Sequence, residues 1–137
     1  IIVQRVEQRA AGDLSITFES FGFKHGLPAD ADFVFDARTL PNPFWDPELK
    51  SLTGLDAPVR AAVLGQPGAV EFLDAYTAAQ AIVIDGYRRE NKRSATIAVG
   101  CTGGKHRSVA IATELAERLA GIPGVVVSVR HRDLGRE

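Results

Sequence analysis

Between residues 14 and 20 the chain alternates: Leu14, Ile16 and Phe18 fall on one side, and Ser15, Thr17 and Glu19 on the other. A period of two predicts a strand with one buried face. Residues 32–37 (Asp-Phe-Val-Phe-Asp-Ala) form a short aromatic and β-branched run, the pattern of an interior strand. Residues 95–101 (Ala-Thr-Ile-Ala-Val-Gly-Cys) are apolar on both faces and predict a third strand, and residues 125–129 a fourth. The period lengthens between these runs. Phe72, Tyr76, Ala79, Val83 and Tyr87 mark the inner face of a helix over 67–91, with Pro67 in its first turn and Arg88, Arg89 and Lys92 near its negative end. Ile111, Leu115 and Leu119 recur at four-residue intervals in a helix over 105–120, and a short helix fits 58–64 before Gly65.

Strand, helix and strand joined by short connections make a βαβ unit. The expectation is a single α/β domain over 14–137 with a largely parallel sheet of about four strands and flanking helices, preceded by a polar lead-in or linker over 1–13. Pro41, Pro43 and Pro47 stiffen a loop around Phe44, Trp45 and Asp46, where the two aromatics are expected to pack on the core rather than stack on a base or sugar.

Composition narrows the function classes. The chain has 137 residues, 45% of them hydrophobic, and a formal charge of −1, so no global pull toward nucleic acid or membrane exists. No apolar run approaches the ~20 residues of a membrane helix. Cys101 is the single cysteine, which suits a reducing cytoplasm. Methionine is absent, so the chain is expected to be processed or an excerpt of a longer protein. No metal and no cofactor are expected.

Basic residues follow every predicted strand: Lys24 and His25, then Arg38, then Lys105, His106 and Arg107, and finally Arg130, His131 and Arg132. Parallel strands would gather them on one rim, where open α/β sheets bind ligands. The third group lies in the run Gly-Cys-Thr-Gly-Gly-Lys-His-Arg-Ser over 100–108. Gly103 and Gly104 let the backbone turn and approach an anion closely, Thr102 and Ser108 offer hydroxyls, and Lys105 and Arg107 offer charge. Cations at a helix N-terminus oppose its dipole, and an anion removes the conflict. The Walker A pattern fails here, because Val99 and His106 stand where a glycine and a hydroxyl residue belong. The spacing Cys101-x5-Arg107-Ser108 resembles the loop of cysteine-dependent phosphatases. That resemblance implies Cys101 as nucleophile, Arg107 as phosphate ligand and Asp46 as general acid, although Gly100 replaces that family's usual histidine. The alternative for Cys101 is a small buried residue ending a strand.

Further motifs carry a broader resemblance. Residues 20–28 (Ser-Phe-Gly-Phe-Lys-His-Gly-Leu-Pro), Asp36-x-Arg38, Leu40-Pro41-Asn42-Pro43-x-Trp45, Leu52-Thr53-Gly54, the 100–108 loop and His131-Arg132-x-Leu134 resemble the C-terminal domain of the RapZ RNase adapter family and the related YvcJ-type nucleotide-binding proteins. The match covers residues 14–134 in order. It implies a regulatory domain that binds glucosamine-6-phosphate through His25, Thr102, Gly103, His106 and Arg107, with small-RNA binding and self-association. It also implies a nucleotide-binding partner domain outside this chain. The chain ends in Gly-Arg-Glu rather than in the lysine-rich tail that serves RNA binding in part of the family. Only the Arg130–Arg132 cluster remains for RNA. The reading is therefore a binding domain rather than an enzyme, with His25, Lys24, Arg38, Thr102, Gly103, Gly104, Lys105, His106, Arg107 and Ser108 as candidate ligand residues.

Overall fold

The expected alternation is realised in the computed structural model, which describes residues 2–4, 13–42 and 46–136. Leu14, Ile16 and Phe18 are fully buried, whereas Ser15 and Thr17 stay half-buried on the opposite face. Five strands form one sheet: β1 (Ile2–Gln4), β2 (Leu14–Gly22), β3 (Phe33–Asp36), β4 (Ser94–Cys101) and β5 (Val125–His131). The order across the sheet is β1-β5-β2-β4-β3, with β5, β2, β4 and β3 mutually parallel. Among the described residues three α-helices accompany the sheet: α1 (Ala57–Leu64), α2 (Ala69–Arg89) and α3 (Arg107–Leu119). No helix among the described residues is long and apolar enough to cross a membrane.

One face of the sheet supplies the core. Register puts Phe18 beside Ile97 and Val129, and Phe35 beside Val99, so these side chains point the same way. They meet Val59 and Val63 of α1, Leu73 and Ile84 of α2, and Ile111, Leu115 and Leu119 of α3 in one cluster. Burial of this cluster is the main favourable term, at roughly 1.5–3 kcal/mol per large apolar side chain. Phe35 stacks on Tyr76, with ring centroids 4.0 Å apart, and so ties the short β3 to α2.

The structure differs from the sequence reading at two ends. Ile2–Gln4 pairs antiparallel with β5 inside the expected lead-in, which gives the parallel sheet a fifth, antiparallel edge strand. Three residues are too few to show a period, and the pairing satisfies the backbone edge of β5. α3 begins at Arg107 rather than at residue 105, because the Lys105 carbonyl accepts the Gly54 amide at 2.9 Å instead of starting the helix. Residues 5–12 and the expected packing of Phe44 and Trp45 lie outside the described residues.

Gln80 is the exception in the core. It is completely buried on α2, and among the described residues neither of its amide atoms has a hydrogen-bond partner. An unsatisfied buried polar group costs about 1–3 kcal/mol. Gln80→Leu, of similar volume, is therefore expected to raise stability by about 1 kcal/mol or more. A urea midpoint that stays put or falls would show that the amide is satisfied in solution.

Candidate functional site

The parallel register ends β2 and β4 side by side, with Gly22 opposite Cys101. The 3-10 turn Phe23–His25 therefore emerges next to the glycine loop, and the Lys24 amide donates to the Thr102 carbonyl at 3.2 Å. The two segments touch backbone to backbone. A Cβ placed on Gly22 would lie 2.4 Å from the Gly103 carbonyl carbon, and Gly104 adopts a positive φ of 82°. Glycine is required at Gly22 by proximity and at Gly104 by conformation as well. On the other face of β4, a Cβ on Gly100 would strike the rings of Phe23 at 2.4 Å and Phe21 at 2.5 Å. The histidine that cysteine-dependent phosphatases place there has no room.

Beside this junction opens a cleft of about 760 Å³ lined by Lys24, Lys50, Lys105, His106 and Arg107, with Thr102, Gly103, Cys101, Asn42, Pro47 and Ser51. No carboxylate is among these lining residues. Gly103 faces open space, with nothing within 4 Å of where its Cβ would stand.

The loop cations also hold the protein together. Arg107 is buried, and its Nη1 donates to the carbonyls of Arg38 and Leu40, both at 2.9 Å, while Nη2 reaches Thr102 Oγ1 at 3.3 Å. Lys105 Nζ donates to the Lys50 carbonyl at 3.0 Å. The His106 ring lies against the backbone of Leu49, Lys50 and Leu52; burial, then the Lys105 charge, lowers its pKa and favours the neutral imidazole. The segment after β3 is thus strapped to the loop, which makes Asn42, Lys50 and Ser51 cleft residues. Sequence reading missed these three. Their only local signal was the basic Lys50 among prolines and Leu52-Thr53-Gly54.

The remaining candidates divide. Gly104 is buried against Gly22 and supports the loop from behind. Ser108 is buried and accepts the Cys101 thiol at 3.1 Å. Cys101 itself is only 3% exposed at the end of β4. Asp46 Oδ1 accepts the Glu48 amide at 3.0 Å, and Asp46 is not among the cleft residues. Arg38 stays on the same rim because β3 is parallel, but its guanidinium lies 3.7 Å over the Phe23 ring and pairs with Asp36 through two bonds. That pairing lowers the Asp36 pKa. His25 keeps its Nε2 buried, and among the described residues that atom has no hydrogen-bond partner.

The last basic group forms no open cationic patch. Arg130 pairs with the buried Glu19 and with Asp30, and Arg132 pairs with Asp133. His131 is 1% exposed, with Nδ1 2.7 Å from Ser20 Oγ. Among the described residues no group of three or more His, Cys, Asp or Glu could hold a metal ion.

A parallel α/β sheet with a loop-built, cation-lined cleft at its strand ends has that cleft where open α/β sheets hold ligands. Comparison with known proteins is more specific: the chain belongs to the RapZ C-terminal domain family, whose model matches residues 14–135. It is 66% identical over 125 residues to a nucleotide-binding protein of Leifsonia xyli, covering 91% of this chain and 42% of that protein. A nucleotide-binding protein of Mycobacterium avium is 62% identical over 131 residues, covering 93% of this chain and 44% of its own length. A third, from Mycolicibacterium smegmatis, is 63% identical, with 90% and 42% covered. The chain thus spans about two fifths of the length of these relatives.

Burial pushes the His131 pKa down to about 4. The unfolded chain binds this proton near pH 6.5 and the folded one only near 4, so stability is full above pH 6.5 and falls as pH drops through that window. The expected loss is about 3 kcal/mol, with His106 adding in the same direction. Urea midpoints measured between pH 7 and 4.5 should decline, and His131→Asn, which can keep a bond to Ser20, should flatten the decline. An equal slope in that variant would remove His131 as the cause.

Proposed function

We propose that the cleft binds the phosphate group of a small phosphorylated metabolite, and that the domain is the metabolite-responsive regulatory part of a longer protein. The observation that carries this reading is the lining: three lysines, an arginine and a histidine converge on a glycine loop with no carboxylate among them. A dianionic phosphate would be favoured by this field and by backbone amides at the loop. A phosphorylated amino sugar such as glucosamine-6-phosphate is the member of that class favoured by the family resemblance. Lys105 and Lys24 supply charge to the phosphate, Thr102 a hydroxyl, and neutral His106 a hydrogen-bonding wall. Arg107 acts chiefly by fixing the wall, since its Nη1 is engaged by two carbonyls.

The same family reading carries self-association, a cytoplasmic setting, a nucleotide-binding domain elsewhere in the protein and small RNA as a second partner. Support for an RNA surface at Arg130, His131 and Arg132 is weak, because the arginines are ion-paired and the histidine is buried. Phosphatase chemistry has less support than binding. The Cys101 thiol is covered and bonded to Ser108, and Asp46 does not line the cleft.

Gly103→Val is the discriminating variant, because a Cβ at Gly103 meets nothing within 4 Å and the fold is expected to persist, which an unchanged urea midpoint checks. Calorimetry with glucosamine-6-phosphate, other sugar phosphates and inorganic phosphate should give saturable binding in the parent chain and none in Gly103→Val. Lys105→Ala should weaken binding about tenfold, the value of one charge-assisted contact. Unaltered affinity in Gly103→Val, or no binding of any phosphorylated ligand, would overturn the reading. Hydrolysis of an aryl phosphate that disappears in Cys101→Ser would replace it with the phosphatase.

A further inference from the structure

Lys24 reaches the cleft from a turn of three residues, and something must fix that turn against the loop. Its two ends are Gly22 and Gly26, and both are gripped by consecutive residues just after β5. The carboxylate of Asp133, completely buried, accepts the Gly22 amide on Oδ2 at 2.8 Å. Arg132 Nη2 donates to the Gly26 carbonyl at 2.6 Å. The two side chains bind each other twice, Nε to Oδ1 at 3.0 Å and Nη2 to Oδ2 at 2.8 Å. The Arg132 amide is anchored in turn by the Ser20 carbonyl at 3.0 Å, and Arg136 adds a further bond to Asp133 Oδ1 at 2.9 Å.

We infer that the Arg132–Asp133 pair is a positioning clamp for the Phe23–His25 turn, setting where Lys24 and His25 stand relative to the glycine loop. This replaces the RNA-contact role expected of Arg132. The geometry is two-sided. Asp133 holds the entry of the turn, Arg132 holds its exit, and their ion pair fixes the span between them. Gly22 is also the residue whose backbone presses on Gly103 and Gly104, and a Cβ on Gly104 would lie 3.1 Å from the Asp133 Cβ. Clamp, turn and loop therefore pack as one unit. Burial works against the Asp133 charge, but Arg132 and the Gly22 amide outweigh it and hold the carboxyl below its usual range.

The functional consequence rests on the proposed role of Lys24 in phosphate binding, and the test separates the two ideas. Arg132→Gln is the first variant because the Arg132 side chain is 23% exposed, whereas the fully buried Asp133 can compromise folding when changed. Two measurements are made on the parent, Arg132→Gln, Lys24→Ala and the double variant. In amide-resolved NMR, the signals of residues 23–26 and of Thr102 should shift in Arg132→Gln while those of α2 stay in place. In titration with inorganic phosphate, Arg132→Gln should lose about tenfold in affinity, with little further loss on adding it to Lys24→Ala. Unmoved signals at residues 23–26, or losses that simply add in the double variant, would overturn the clamp. So would weakened RNA binding in Arg132→Gln with the turn signals unchanged. If the parent binds no phosphate at all, the proposed function fails, and the amide signals alone still decide the clamp.

Discussion

The site depends on one contact that only glycine permits: the backbone at Gly22 lies against the backbone at Gly103 and Gly104. Parallel pairing of β2 with β4 brings the two strand ends level, and the absence of side chains at the junction lets them close. Any Cβ at Gly22 would have to displace main chain rather than a flexible side-chain tip, so relief would require moving a strand end. From this contact follow the adjacency of Lys24 to Thr102, the orientation of the loop and the opening of Gly103 toward solvent.

A second constraint is the way the loop's positive charge is shared. Lys105 and Arg107 donate to main-chain carbonyls of the segment between β3 and α1, and His106 lies against the same segment. Carbonyl dipoles neutralise these cations only in part, leaving a net positive cleft that still favours an anion. The same bonds build the opposite wall, so ligand chemistry and wall geometry are carried by the same residues. Gly54 completes the arrangement: a Cβ there would stand 2.5 Å from the His106 carbonyl oxygen, which explains the glycine of Leu52-Thr53-Gly54.

Much of this was legible in the sequence, and the remainder fails for identifiable reasons. Periodicity located β2, α2 and α3, because burial of one face is a local pattern, while apolar runs marked β3, β4 and β5 and Gly65 marked the end of α1. It could not locate β1, which is three residues long and exists through pairing with β5. The rim of basic residues was anticipated for Lys24, Lys105, His106 and Arg107, which do line the cleft. Residue type alone could not separate a cation facing a cleft from one spent on a neighbour. Arg38 stacks on Phe23, Arg130 pairs with Glu19 and Arg132 with Asp133, and each pairing joins distant parts of the chain or depends on the local fold. Asn42, Lys50 and Ser51 were invisible as site residues because hydrogen bonds from Lys105 and Arg107 bring their segment to the loop. Asp133 read only as the variable position of His131-Arg132-x-Leu134, yet it holds the Gly22 amide.

The central claim is that the glycine loop with its converging cations is an anion site. Crystals soaked in tungstate, a heavy phosphate mimic, test it most directly through anomalous scattering. A tungsten peak is expected in the cleft over Gly103, within reach of Lys24, Lys105 and Thr102. Peaks confined to other surfaces, with the cleft unoccupied at saturating tungstate, would contradict it.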